Sequence, residues 1–235
     1  MPGAHAEGGS SALSAETIVD AALLLIERDG LEAFSMRGLA RECGVYPAAL
    51  YWHVTDKERL LALVTMRIMD DIVIPDPALP WDTWITEMAR RYRRALHRHS
   101  SASPLISGHL VSNSANAFPI AETLLDVLSR AGFRLAGLVD AFNVVVGFMI
   151  GFVGIELARP PEQLGPWQEQ RRDALDRVDS EVFPQLAAHR ALLANRAFIT
   201  RWESGSSAPM DAAFEASLDV VVRGLRARLD DRPGS

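Results

Sequence analysis

Residues 35–57, SMRGLARECGVYPAALYWHVTDK, place a small residue, a glycine and two apolar residues at spacings that let two short helices cross at close range. Counting from Met36, Leu39 and Ala40 fall on the inner face of a first helix, Gly44 ends it, Val45 opens the turn and Leu50 anchors a second helix. Each slot has a physical reason. Ala40 is small where the second helix passes over the first, and Gly44 tolerates the positive φ that a helix end requires. Val45 and Leu50 supply the shared apolar plug. Pro47 has no N–H to donate, so it fits the first turn of a helix, where that donor lacks a partner anyway. The spacing predicts a helix-turn-helix whose second helix runs from Pro47 to Val54 and enters a groove of DNA.

At 235 residues with 49% apolar content, the chain can build one larger or two modest packed domains. Its net charge of −6 runs against DNA binding, since basic side chains on phosphates supply most non-specific affinity. The distribution answers part of that objection. Ala33 to Arg67 carries five basic residues (Arg37, Arg41, Lys57, Arg59, Arg67) against three acidic ones (Glu42, Asp56, Glu58), a local balance of +2. Lys57 is the chain's one lysine and falls just past the expected recognition helix. Cys43, the one cysteine, excludes an internal disulfide framework and a cysteine-based zinc site, and reads as a small buried residue rather than a nucleophile. Residues 1–12 lack the basic start and apolar run of a secretory signal, so a disordered tail and a cytoplasmic location are expected.

The rest of the chain predicts helices throughout, and hence an all-α fold. Ser14 caps a first helix whose Ile18, Ala21, Ala22, Leu25 and Ile26 recur at helical spacing until Asp29-Gly30. A fourth helix starts near Asp56 and carries Leu60, Leu61, Val64 and Ile68 to about Ile72. The run Pro75 to Pro80 holds three prolines in six residues and divides the chain into a DNA-binding domain, 13–74, and a helical body, 75–230. In the body, Trp81 to His99 is amphipathic, with an arginine cluster (Arg90, Arg91, Arg93, Arg94, Arg98) read as a solvated face and, alternatively, as a second nucleic-acid contact. Helices follow at Phe118–Ala131 and at Arg134–Ala158, where Pro160-Pro161 ends the run.

Within that long helix, Ala141 to Ile155 is an uncharged stretch of 15 residues, shorter than the ~20 needed to span a bilayer, so a buried helix and no membrane partner are expected. Gly147, Gly151 and Gly154 share one flank, which fits either a subunit interface or tight internal packing. Two more helices are expected, Phe183–Trp202 and Met210–Leu229. The last has a stripe of Phe214, Leu218, Val221, Val222, Leu225 and Leu229 that needs covering.

Leu50-Tyr51-Trp52-His53-Val54 with Asp56-Lys57 and Leu60-Leu61, preceded by Ile18-Val19-Asp20-Ala21-Ala22 and Asp29-Gly30, resembles the signature of the tetracycline-repressor (TetR) family. FEASLDVVVRGLRARL, residues 214–229, resembles the family's last helix, so the likeness spans nearly the whole chain, most specifically its first 60 residues. The resemblance implies a homodimeric, ligand-responsive repressor, paired through the carboxyl-terminal bodies, that binds a near-palindromic double-stranded DNA operator and is released by a small effector. It implies no cofactor.

Recognition is expected from the start of the second helix and one residue of the first. Arg37 is the candidate base contact, with a phosphate contact or a surface salt bridge as alternatives. Tyr46, Pro47, Ala48 and Ala49 form the outward face, with methyl contacts to thymine in view. Tyr51, His53, Thr55 and Lys57 are assigned to the phosphate backbone and Trp52 to the core. For the effector, Trp84, Met88, Tyr92, His109, Asn113, Phe142, Asn143, Phe148 and Phe152 offer an aromatic, mostly apolar lining, or plain core, and point to a small apolar or aromatic ligand. Where the family holds a magnesium-drug chelate with a histidine and a glutamate, this chain has Ile106 at the first position and Glu156 only near the second, so no metal site is expected. An enzyme is the distant alternative, since HExxH, a serine elbow and paired carboxylates in an apolar setting are all absent from the sequence. A TetR-like activator, or one controlled by another protein, is the nearer one.

Overall fold

The computed structural model describes residues 13–109, 118–158, 164–193, 197–198 and 210–231, and among these every regular element is helical. Eleven α-helices run in order: α1 (Ala15–Asp29), α2 (Met36–Glu42), α3 (Pro47–Tyr51), α4 (Lys57–Asp70), α5 (Trp81–Arg98), α6 (Pro104–His109), α7 (Phe118–Ala131), α8 (Leu135–Glu156), α9 (Leu164–Asp176), α10 (Pro184–Leu193) and α11 (Asp211–Asp230). They fall into two compact units, the described residues of Met1–Ile72 with Arg98–Ala117, and those of Val73–His97 with Phe118–Ser235.

In the first unit, α1 begins with a capping box. Thr17 N–H donates to Ser14 Oγ at 3.1 Å and Ser14 N–H to Thr17 Oγ1 at 2.9 Å, while Gly30 at φ 88° stops the helix. Its face of Ile18, Ala22, Leu25 and Ile26 is buried, and α1 packs on α2 and α4. Ser35 caps α2 through Gly38 N–H at 3.1 Å. The end of α2 is a Schellman turn: Val45 N–H reaches Ala40 O at 2.9 Å and Gly44 N–H reaches Arg41 O at 3.2 Å, with Gly44 at φ 67°. Space around the missing Gly44 Cβ is open, so a side chain there meets backbone strain and no clash. Gly44→Ala is therefore expected to destabilise the unit by about 1 kcal/mol, read as a lower urea midpoint at unchanged m-value.

The recognition helix is shorter than its sequence predicts, ending at Tyr51 rather than Val54. His53 N–H at 3.0 Å and Val54 N–H at 2.9 Å both turn back onto Leu50 O and close the helix. Leu50 and Val54 are buried four residues apart, while Trp52 between them is 88% exposed. Trp52 is thus no core anchor, because at roughly 100° per residue it stands across the rod from Leu50. Asp56 caps α4 through Arg59 N–H at 2.7 Å, and Leu60, Val64 and Ile68 complete the core. Cys43 is half-buried, and that burial pushes its thiol up, away from the reactive thiolate.

The unit boundary differs from the one expected after residue 74: the first unit ends at Ile72 and regains the described residues 98–109. Ala102, Leu105 and Ile106 are buried and α6 packs on α4, so this segment belongs to the head by its contacts. In the second unit, α5 buries Trp84, Ile85, Met88, Tyr92 and Leu96, and Trp84 Nε1–H donates to Pro75 O at 3.2 Å. α7 packs on α8 and α8 on α11. α9 lies where no helix is expected from the sequence, and its Pro166 falls in the first turn, where proline is tolerated. The expected tail 1–12, the Pro160-Pro161 stop, and residues 194–196 and 199–202 of the expected 183–202 helix lie outside the described residues.

Of the α5 arginines, Arg94 and Arg98 are exposed as a solvated face requires, while Arg90, Arg91 and Arg93 are half-buried against protein partners. Arg90 forks onto Glu215 at 2.7 and 3.0 Å, and Arg93 onto Glu156 at 2.6 and 2.8 Å. Arg91 donates to Val73 O at 3.1 Å and Arg98 to Asp71 O at 3.2 Å, while Arg94 stays exposed. Carboxylates on α8 and α11 draw Arg90 and Arg93 inward.

Candidate DNA interface and effector-binding body

The caps and the Schellman turn bring α2 and α3 together so that one side of the first unit carries nearly all of its free aromatic surface. Tyr46 is 84% exposed as the residue before α3, and Pro47, Ala48, Tyr51 and His53 are exposed with it, Ala49 being half-buried. Arg37, the second residue of α2, is exposed and forms no ion pair among the described residues. Its five donors are open to a base edge or a phosphate. Thr55 and Lys57 are exposed but engaged. Thr55 Oγ1 donates to Asp56 Oδ2 at 3.1 Å, and Lys57 Nζ donates to Phe34 O at 3.1 Å while lying 5.5 Å from the Phe34 ring centroid. An ammonium has three donors, so Lys57 keeps two for a phosphate and is held in place by the third. The Arg59 backbone N–H holds the Asp56 carboxyl below its ordinary range, which keeps the cap of α4 charged.

In the second unit the expected effector residues separate. Trp84, Met88, Tyr92 and Phe152 are buried, Phe142 and Phe148 half-buried, and Asn143 exposed. Burial pushes the Tyr92 phenol above its ordinary value. The side chain of His109 and all of Asn113 lie outside what is described. Phe148 and Phe152 do meet, at 5.8 Å between centroids, and both gather around Phe214, at 5.6 and 5.4 Å, with Phe198 5.1 Å from Phe152. Phe198 and Phe214 were missed as members of this aromatic cluster. Phe214 carried a signal, as part of an apolar stripe, but a stripe does not name its partner.

The cluster has a polar wall. Arg93 lies 4.8 Å from the Phe214 ring centroid and ion-pairs with Glu156 and with Asp211 at 2.6 Å each, while His97 Nε2 is 3.2 Å from Glu156. Burial raises the Glu156 carboxyl, but the bonds from Arg93 and His97 outweigh it and bring it down to about 2. Two surface depressions lie elsewhere: one of about 280 Å³ lined by Leu79, Trp81, Val127 and Arg130, and one of about 210 Å³ lined by Asp82, Thr86, Glu87 and Val222.

α8 is buried on one side only, contrary to the expectation of a buried helix. Val139, Val144, Gly147, Gly151 and Ile155 are exposed along its other side. Nothing lies within 4 Å of a Cβ built on Gly147 or Gly151, which removes internal packing as their role. By length and composition α8 could also cross a membrane, yet its Asp140 pairs with Arg228 of α11 at 3.0 Å. Of the α11 stripe, Phe214, Leu218 and Leu225 are buried in their own chain and Val221, Val222 and Leu229 are half-buried, while Val220 beside the stripe is bare.

Two family models account for these two parts. The amino-terminal model, bacterial regulatory proteins of the tetR family, matches residues 18–64, and the model of the tetracyclin repressor-like C-terminal domain matches residues 74–229. The chain belongs to the TetR family. It is a DNA-binding transcriptional regulator, as its relatives are. The tetracycline repressor protein class A from transposon 1721 of Escherichia coli is 30% identical over 220 residues, covering 92% of each chain. The class D repressor of Escherichia coli is 28% identical over 190 residues, 75% of this chain and 85% of that one. In fold, the TetR-family protein ActR of Streptomyces coelicolor, in complex with actinorhodin, is similar at TM-score 0.73 and 24% identity over 93% of this chain and 99% of the other.

Proposed function

We propose that this TetR-family chain acts as a cytoplasmic homodimeric repressor, without catalytic activity, that is released from a near-palindromic operator by a small apolar or aromatic effector. The observation that carries the reading is the pairing of two unsatisfied surfaces. One is the exposed Arg37–Tyr46–Ala48–Tyr51–His53 face, and the other the bare glycine-bearing side of α8. The first offers groove-reading groups and few competing internal partners; the second needs a cover, and a second copy supplies one with twofold symmetry and two recognition helices in register.

Phosphate contacts fall to Tyr51, His53, Thr55 and Lys57, with Lys57 steadied by Phe34. For the effector, the Phe148–Phe152–Phe198–Phe214 cluster favours a flat apolar ligand. A magnesium-drug chelate of the kind the tetracycline repressors' name brings to mind draws no support from Glu156, whose oxygens are taken by Arg93 and His97.

Selection of bound fragments from genomic DNA, followed by footprinting, tests the operator. A protected, near-symmetric site of one to one and a half helical turns, roughly 10–16 base pairs, is expected. Absence of any preferred fragment overturns the reading. Arg37→Ala is expected to lose about 1–3 kcal/mol of specific affinity and to relax preference at one base pair per half-site, measured by titration against single-substituted operators. A uniform loss across all operators would assign Arg37 to phosphate instead.

A further inference from the structure

We propose that Glu27, His99 and Asp71 form a proton-dependent latch that fastens the chain leading into α6 onto the DNA-binding unit, so that operator affinity responds to pH. The regulatory half rests on the operator-binding reading above; the latch itself does not.

The His99 imidazole, 17% exposed, sits between carboxylates from two other helices. Its Nε2 is 2.9 Å from Asp71 Oδ2 at the end of α4, and its Nδ1 is 3.7 Å from Glu27 Oε1 in the last turn of α1. Glu27 Oε1 is buried and has no hydrogen-bond partner. A buried acceptor left unpaired is costly, and here it faces a ring nitrogen. Neutral imidazole has one N–H and serves one carboxylate; imidazolium has two and serves both. The geometry therefore matches a proton held between His99 and Glu27, as imidazolium or as a protonated carboxyl that donates to Nδ1.

The surroundings assign the charges. Burial raises the Glu27 carboxyl, opposed by His99 and by the backbone N–H groups of Ser101 and Ala102. The bond to His99 lowers the Asp71 carboxyl against its own burial, with Arg98 and Arg67 assisting. Arg67 of α4 spans Asp71 at 3.3 Å and Asp20 of α1 at 3.1 Å, and Arg98 at the end of α5 is 3.7 Å from Asp71 Oδ2. From α6, Pro104, Leu105 and Ile106 add no charge. Asp71 thus stays ionised, and the exchangeable proton belongs to the Glu27–His99 side. The latch has mechanical reach: Ser101 Oγ donates to Glu27 O at 3.3 Å, and the buried Ala102, Leu105 and Ile106 follow directly.

The sign follows. As pH rises the proton leaves, a buried carboxylate faces an imidazole lone pair, and the start of α6 loosens from α1 and α4. Hydrogen exchange at residues 101–106 and operator titration, each at pH ~6 and ~8, test this with the full-length protein, Glu27→Gln and His99→Gln. Both glutamines keep a donor without a proton to lose. Exchange protection in the wild type, corrected for the intrinsic rate, is expected to fall about tenfold from the lower to the higher pH, with operator affinity changing several-fold in step; His99→Gln is expected to be flat, and Glu27→Gln, which keeps the His99–Asp71 pair, to show a clearly smaller fall. Equal pH dependence in wild type and variants, or none in wild type, overturns the latch. A latch seen by exchange with operator affinity indifferent to pH overturns the regulatory half alone. If no operator exists, the exchange arm still decides.

Discussion

Gly151→Arg is expected to give a folded monomer that no longer holds its operator. In one protomer, position 151 is exposed and a Cβ there meets nothing within 4 Å, so an arginine extends into solvent. Replacing a glycine inside a helix also improves local helix formation by roughly 0.5–1 kcal/mol, so the protomer's melting temperature should hold or rise. Against a second copy the same side chain is ruinous. A close helix crossing on small residues has no room for it, a guanidinium without a carboxylate partner is desolvated, and twofold symmetry applies the cost twice. A loss of about 4 kcal/mol or more, roughly a thousandfold in dimer affinity, is expected by sedimentation equilibrium at micromolar protein. Operator affinity should fall with it, because a single head meets a single half-site. A variant that still sediments as a dimer would show that some other surface pairs the subunits.

Glu156→Gln is expected to cost the second unit about 3–4 kcal/mol at neutral pH. Glu156 closes α8 at its carboxyl end, where the helix dipole already disfavours a negative group, and it is buried. It persists because Arg93 forks onto it and His97 adds a further bond, which together hold its carboxyl at about 2 against an ordinary 4.5 despite burial. A displacement of that size corresponds to roughly 3 kcal/mol of stability. Because the folded value is the lower one, this stability is fully present above the unfolded carboxylate range and is lost as pH falls from about 4.5 towards 2. The glutamine keeps the shape, but a neutral amide cannot answer the guanidinium, and Arg93 is left with Asp211 alone. A fall of about 10 °C in melting temperature is expected near pH 7, together with a flatter acid limb between pH ~5 and ~3. A variant melting within about 2 °C of wild type would reduce the pair to a bystander.

The head was legible because its instructions are short-range. Ser14, Gly30, Gly44 and Pro47 each act on a neighbour within five residues, and their caps and turns stand where the spacing put them. Failure began where a pattern required a partner. Trp52 looks apolar enough for a core, and the helical phase that buries Leu50 and Val54 turns it outward. Arg90 and Arg93 resembled a wet helix face because Glu215 and Glu156 lie 125 and 63 residues away. The return of residues 98–109 to the first unit was invisible for the same reason: Leu105 and Ile106 announce burial but not beneath which helix. Of the effector residues, Trp84, Met88 and Tyr92 were identifiable as inward-facing, while Phe198 and Phe214, which meet Phe152, come from chain segments too distant for periodicity to connect.

One amine side chain in 235 residues, seated 3.1 Å from the Phe34 carbonyl, makes Lys57 an address as well as a contact. Acylation there removes its positive charge and cuts its three N–H donors to one. A succinimidyl dye would find no other lysine to react with, so apart from the terminal α-amine the head offers a single labelling position whose occupancy can be followed by colour.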